Sequence, residues 1–234
     1  MFALPAGIAL FGFVATPHPV LEVSMIARSG TIVQSAIDRR SMAQIGAAAV
    51  LGVSTIPANA EGSYPKIRMT TTAGDMEFEL WDDVAPKHVT SFIKLTKSGF
   101  FDGGAFHRII PGFVIQGGDP NAKVGYGPDG TLDGADRGAV SKWGRGGPGY
   151  SVPAEFNTRP HELGVLSMAR SSDPNSAGSQ FFVCLGFLPS LDNKYTTFGK
   201  LTSGEPVLLK LGAAQTVKGD IPFARQGIEH VEAL

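Results

Sequence analysis

The stretch FHRIIPGFVIQGGD, Phe106 to Asp119, constrains the fold more than any other part of the chain. It reads as two strand-like runs joined at a Pro-Gly turn, with two glycines before the closing Asp119. Side chains alternate along a strand, so Val114 and Gln116 should share one face while Phe113 and Ile115 share the other. A second stretch, SQFFVCL, repeats the pattern, with Phe181 and Val183 opposing Phe182 and Cys184. Both runs are therefore apolar on both faces. A barrel strand needs one apolar face for its core, and its other face should be polar unless something lies on it. From the pattern alone, that cover is equally a helix or loop of the chain itself or a bound molecule.

Composition agrees with a turn-rich, mostly β fold: 30 glycines and 16 prolines among 234 residues. A formal net charge of −1 with 18% charged residues gives no pull toward nucleic acid or anionic membranes. Cys184 is the only cysteine, so an intrachain disulfide is impossible, and in FFVCL it reads as a small buried hydrophobe.

The first sixty residues differ from the rest. Residues 1–14, MFALPAGIALFGFV, are apolar and uncharged, and a Ser/Thr-containing, mildly basic stretch follows. Arg39 and Arg40 then precede an apolar run, Ile45 to Ile56, which ends at Ala58-Asn59-Ala60. Twin arginines, a short apolar region and an A-x-A site predict a targeting leader over 1–60, cleaved after Ala60. The run is short of the about 20 residues a bilayer-spanning helix needs. The arginines lie far from the start and follow a separate apolar segment, as in a layered address to a plastid thylakoid lumen. The alternative is a bacterial periplasm, reached by the same twin-arginine signal.

Residues 61–234 are expected to form one domain. KIRMTTTAGDMEFELW places two β-type runs around Ala73-Gly74-Asp75, a predicted hairpin. VAPKHVTSFIKLTKSGF predicts a helix with Val89, Phe92, Ile93 and Thr96 on one face, Pro86 in its first turn and Gly99 at its stop. SGEPVLLKLGAA predicts a second, shorter helix with Ser203 as N-cap. Many short strands with two helices suggest a closed barrel with helical caps.

The motifs FHRIIPGFVIQGGDP, GGPGY, AEF, GVLSMAR, GSQFF and TTFGK occur in that order. On these motifs, essentially the whole chain beyond the leader resembles the cyclophilin-type peptidyl-prolyl cis-trans isomerases. The resemblance implies a closed eight-stranded antiparallel β-barrel capped by two α-helices, with a substrate groove on its outside. It implies rotation about X–Pro peptide bonds, in the service of protein folding, with no cofactor and no metal. Arg108 matches the catalytic arginine, Gln116 the residue that orients it, and Phe113 the catalytic-pocket phenylalanine. Val114, Phe182 and Leu191 complete the implied proline pocket, Val114 standing where methionine is more usual. Ala169 and Arg170 match positions that contact the peptide backbone, Arg170 replacing a common Asn. His107 belongs to the signature as an aid to binding, and Tyr195 takes a position often held by histidine. The implied partners are proline-containing polypeptides, without nucleic acid or stable membrane insertion, and the mature chain is expected to be a monomer.

Two departures stand out. Ser190, in GFLPSLDNKY, occupies the position of a frequent pocket-wall tryptophan, which predicts weak binding of cyclosporin. An insert at about 122–142, AKVGYGPDGTLDGADRGAVSK, separates GGDP from GRGGPGY. Asp129, Asp133 and Asp136 do not fit a calcium loop, so the insert reads as a flexible surface loop near the groove. GRGGPG lacks the lysine of a P-loop, no G-x-S-x-G elbow is present, and the five histidines lack zinc-ligand spacing. A non-catalytic binding module using the same groove is the alternative to an active isomerase.

Overall fold

The computed structural model describes residues 63–234. The leader and its cleavage site after Ala60 lie outside the described residues. Among the described residues, eleven strands and three α-helices follow in chain order: β1 (Lys66–Thr71), β2 (Gly74–Leu80), α1 (Pro86–Lys97), β3 (Gly104–Ala105), β4 (Arg108–Ile110), β5 (Val114–Gly117), α2 (Arg137–Val140), β6 (Val165–Met168), β7 (Phe181–Cys184), β8 (Thr197–Ser203), α3 (Glu205–Gly212), β9 (Thr216–Val217), β10 (Ile221–Pro222) and β11 (Gly227–Ala233).

Nine of the strands form one curled antiparallel sheet in the order β3-β11-β1-β2-β8-β6-β7-β5-β4, and β9 pairs with β10. The two edge strands, β3 and β4, are the two ends of one segment, Gly104 to Ile110. Counted as one strand, that segment gives the eight expected. The ladder is interrupted at Phe106 and His107, where the Phe106 amide instead donates to the Gln226 carbonyl at 2.9 Å. The expected closed barrel is thus a curled sheet whose edges meet at a break.

The alternation of β1 and β2 buries Ile67, Met69, Met76, Phe78 and Leu80 in one core. The hairpin between them is one residue tighter than expected: Thr71 pairs with Gly74, so the loop is Thr72-Ala73 and Asp75 belongs to β2. Thr71 causes this, because its hydroxyl accepts from the Ala73 amide at 3.1 Å and donates to the Gly74 carbonyl at 2.7 Å.

Helix α1 buries Val89, Phe92, Leu95 and Thr96. Phe92 sits at its centre, 4.7 Å from the Phe101 ring and edge-on to Phe181 at 5.5 Å. Its N-cap, Ala85, has no side chain to offer, and Glu155 supplies the cap from 67–68 residues away. The Glu155 carboxylate accepts from the Lys87 amide at 3.1 Å and the His88 amide at 3.0 Å. Gly99, at φ +67°, ends the helix as expected. Helix α3 adds Leu208 and Leu211 to the same core. Its N-cap is Gly204 at φ +95°, not Ser203, because β8 runs through Ser203 and the chain must then reverse in a left-handed step.

The insert is more built than a loop. Asp136 caps α2 by accepting from the Gly138 and Ala139 amides, and Asp129 accepts from the Thr131 amide and hydroxyl. Trp143 clasps the base, its indole donating to the Asn121 and Val124 carbonyls at 3.1 and 3.0 Å. The far side is tied to the end of β10 and the residue after it: Tyr126 donates to the Pro222 carbonyl at 3.1 Å, and the Leu132 amide to the Phe223 carbonyl at 2.9 Å.

Candidate active site

Strands β5 and β7 are covered on both sides. Ile115, Phe181 and Val183 lie in the main core, while Val114, Phe182 and Cys184 join a second cluster with Trp81, Val165 and Leu188. Cys184 is fully buried there, and burial pushes its thiol up to about 12, so it behaves as a small apolar residue. Phe113, Ala169, Leu191 and Tyr195 pack at the margin of this outer cluster. Phe113 corrects the expected pattern: it packs with Val114, not with Ile115. It precedes β5 in the turn Ile110-Pro111-Gly112-Phe113, where Gly112 at φ +72° breaks the strand alternation.

A pocket of about 150 Å³ opens on this outer face, lined by Arg108, Phe113, Val114, Gln116, Ala169, Arg170, Phe182, Leu191 and Tyr195. Nine of the ten site residues expected from the sequence therefore meet. Strand register explains the core of the group. Arg108 pairs with Gln116 across β4–β5, and Gln116 with Phe182 across β5–β7, so cation, amide and ring form one cross-strand row.

His107 is the exception. Arg108 faces the pocket, so its neighbour points away, and His107 is buried at 4% exposure with neither ring nitrogen bonded to the protein. Burial depresses its pKa to about 4, and the Arg108 charge adds to this against the opposing Asp119.

The guanidinium of Arg108 is held at its inner end. Its Nε donates to Asp220 Oδ2 at 3.3 Å, and its Nη1 reaches Gln116 Oε1 at 3.5 Å. Gln116 in turn donates to Gln180 at 3.1 Å, and Gln180 to the Gly146 carbonyl at 2.9 Å. Neither Asp220 nor Gln180 is among the site residues that the sequence predicts. Gln180 sits in the GSQFF motif, but Asp220 lies 112 residues from Arg108 with no local signal.

Arg170 forms a wall instead of a free cation. It donates to the Lys194 carbonyl through Nε and Nη2, at 3.0 and 2.9 Å, and to the Ser171 carbonyl at 2.8 Å. Its guanidinium lies 4.6 Å from the centre of the Tyr195 ring. Tyr195 meets Phe182 edge-on at 5.7 Å, so the three side chains brace one another. Behind Phe182, the buried His161 stacks at 6.0 Å. It contacts Asp192 at 2.8 Å and Ser167 at 3.0 Å. The order Ser–His–Asp resembles a hydrolase triad, but Ser167 is fully buried and donates to the Thr196 carbonyl. The trio supports the pocket floor. Ser190 is exposed on the turn Pro189–Leu191 and does not line the pocket.

A wider cleft of about 660 Å³ adjoins the pocket across Gln116, Ala169 and Arg170. Its far wall is the glycine-rich run Gly144 to Tyr150. An extended peptide could thus lie along the outer face, with one apolar side chain in the small pocket beside Arg108.

Comparison with known proteins bears on that arrangement. The family model described as cyclophilin type peptidyl-prolyl cis-trans isomerase/CLD matches residues 66–233. A peptidyl-prolyl cis-trans isomerase of Arabidopsis thaliana is 40% identical over 162 residues, which are 68% of this chain and 29% of that relative. Another from Synechococcus elongatus is 42% identical over 137 residues, 58% of this chain and 80% of the relative. A cyclophilin-type isomerase from Cryptosporidium parvum, its structure determined in the presence of the dipeptide Ala-Pro, is 32% identical with a TM-score of 0.60. That likeness covers 71% of this chain and 96% of the other. With the match spanning nearly all the described residues, the chain belongs to the cyclophilin-type peptidyl-prolyl cis-trans isomerases.

Proposed function

We propose that this chain accelerates rotation about X–Pro bonds in polypeptides and assists their folding after export. Rotation faces a barrier of about 18–20 kcal/mol because the C–N bond has partial double-bond character. The two isomers differ by about 0.5–1 kcal/mol, so a catalyst need only favour the twisted state. There the resonance is lost and the imide nitrogen regains a lone pair. The proline ring would sit among Phe113, Val114, Phe182 and Leu191, with Arg108 at the rim. The observation that carries the reading is the guanidinium anchored through Nε and Nη1 beside an apolar pocket. Among the described residues its Nη2 makes no hydrogen bond, which leaves a donor for the proline carbonyl or the developing lone pair. No nucleophile or acid–base pair is required.

Arg108→Ala tests this. Loss of one preorganised donor is expected to lower kcat by about 10²–10³. The fold should survive, since the side chain is 40% exposed and its ion pair with Asp220 is a surface one. Circular dichroism and a coupled X–Pro peptide assay on one preparation give both readouts. Full activity in the folded variant would refute the mechanism.

The remaining features of the reading rest on sequence. The twin arginines, the apolar run and Ala58-Asn59-Ala60 support export, to a plastid thylakoid lumen or alternatively a bacterial periplasm. Mass spectrometry of the native protein should find Glu61 at the N-terminus, and an intact leader on protein from that compartment would refute cleavage. The mature chain is expected to act as a monomer and, with Ser190 in place of tryptophan, to bind cyclosporin weakly.

A further inference from the structure

We propose that Asp220 is the positioning residue for the Arg108 guanidinium, and that the 120–143 segment is the strap that keeps Asp220 in place. The inference rests on the isomerase reading and names what orients its cation. Arginine has a long side chain with several free torsions, and at 40% exposure packing does little to fix this one. Two contacts do. Gln116 reaches Nη1 at 3.5 Å, the weaker of the pair, and Asp220 takes Nε at 3.3 Å. A carboxylate on Nε turns the plane of the guanidinium and leaves the outer nitrogen to face the pocket.

Asp220 is itself placed at a cost. It stands at φ +63°, in the left-handed region that residues with a Cβ seldom adopt. Its backbone is locked there from two sides. The Asp220 carbonyl accepts from the Ile109 amide at 2.8 Å, which ties it to the residue next to Arg108. The β9–β10 pairing, Val217 with Ile221 and Thr216 with Pro222, closes the turn around it.

The strap holds the next residues along. Tyr126 donates to the Pro222 carbonyl, the Leu132 amide to Phe223, and the Arg225 amide to the Gly130 carbonyl at 2.8 Å. Thr131 bridges Ala224. At its other end the strap leads, past Trp143, into Gly146, whose carbonyl holds Gln180 and through it Gln116. Both partners of the guanidinium are therefore steadied by the strap and the residues that directly follow it, Gly146 among them.

Two substitutions separate orientation from backbone strain. Asp220→Gly and Asp220→Asn both tolerate the left-handed backbone, but only Asn retains an acceptor oxygen. Both, with Arg108→Ala and the Arg108→Ala/Asp220→Gly double variant, are assayed on an X–Pro peptide with kcat and KM separated. Asp220→Gly is expected to lower kcat about tenfold, equivalent to 1.4 kcal/mol, with KM changed less than about twofold. Asp220→Asn should recover most of that loss, and the double variant should be no slower than Arg108→Ala alone. Wild-type kcat in Asp220→Gly, beside an impaired Arg108→Ala, overturns the positioning role and leaves the isomerase reading intact. A further tenfold loss in the double variant shows that Asp220 acts elsewhere and also overturns it. Full activity in Arg108→Ala overturns both.

Discussion

His107 makes the sharpest test of how the site is wired. It stands next to the catalytic candidate in the sequence, yet its ring is buried and turned away from the pocket. Burial, with the Arg108 charge adding to it, holds its pKa at about 4, below an ordinary value of 6.5. At pH 7 the imidazole is neutral in the folded protein and mostly so in the unfolded chain, so its contribution to the pH dependence there is small. Below pH 6.5 the unfolded chain takes up a proton that the folded protein refuses until about pH 4. Stability therefore falls across that window, at 1.36 kcal/mol per pH unit, by about 3 kcal/mol in all. His88 and His161 are lowered by burial too, so the wild-type protein loses more than His107 alone accounts for. The difference between variants isolates the His107 share. His107→Phe removes the titration and two unpartnered polar atoms while keeping a flat ring. Urea unfolding at pH 7, 5.5 and 4 should show the stability gap between variant and wild type widening by about 3 kcal/mol from pH 7 to pH 4, in the variant's favour. His107→Leu, smaller than the native ring, guards against overpacking and should show the same flattened slope. An acid slope in both variants equal to the wild type's would refute the reasoning. A drop in kcat/KM beyond about tenfold would return His107 to the binding machinery.

Three further outcomes follow from the geometry. Phe113→Ala should lower kcat/KM about tenfold through lost apolar contact with the proline ring, at small cost to stability because Phe113 is only half-buried; unchanged peptide kinetics would remove it from the pocket. Glu155→Ala strips the cap from α1 and leaves the His88 ring, 2.6 Å away, without its partner, so urea unfolding should register a loss of about 1–3 kcal/mol, and an unchanged midpoint would mean that water replaces the cap. Ser190→Trp places an indole on an exposed turn at the pocket margin and should tighten cyclosporin at least about tenfold by calorimetric titration; equal affinity in both proteins would show that Ser190 is not the determinant.

How much of this was legible depended on whether the signal was local. Helix α1 could be read because Pro86, its apolar stripe and Gly99 all lie within one turn of what they control. The pocket could be read because β4, β5 and β7 are in register and their motifs are specific to a family. The hairpin missed by one residue because a threonine hydroxyl, not the glycine, set the turn. Phe113 departs from the expected alternation because the strand begins only at Val114. His107 shares the motif with Arg108, but neighbouring side chains point opposite ways and its ring goes inward. Asp220 and the structured insert were invisible for a different reason. Their partners lie 112 and 96 residues away, and neither a lone Asp nor a lone Tyr carries any mark of such a contact.

The meeting of both sheet edges on one segment bears on the company such a protein keeps. An unfolded polypeptide presents unpaired backbone amides and carbonyls, and any open strand border invites it to add on. Here the border strands are only two and three residues long. The outward amide of β4, at Ile109, is already taken by the Asp220 carbonyl. Among the described residues, the border of this sheet therefore offers an unfolded polypeptide little template for main-chain zippering. What the outer face offers instead is the small pocket beside Arg108, which is built for a side chain and not for a strand.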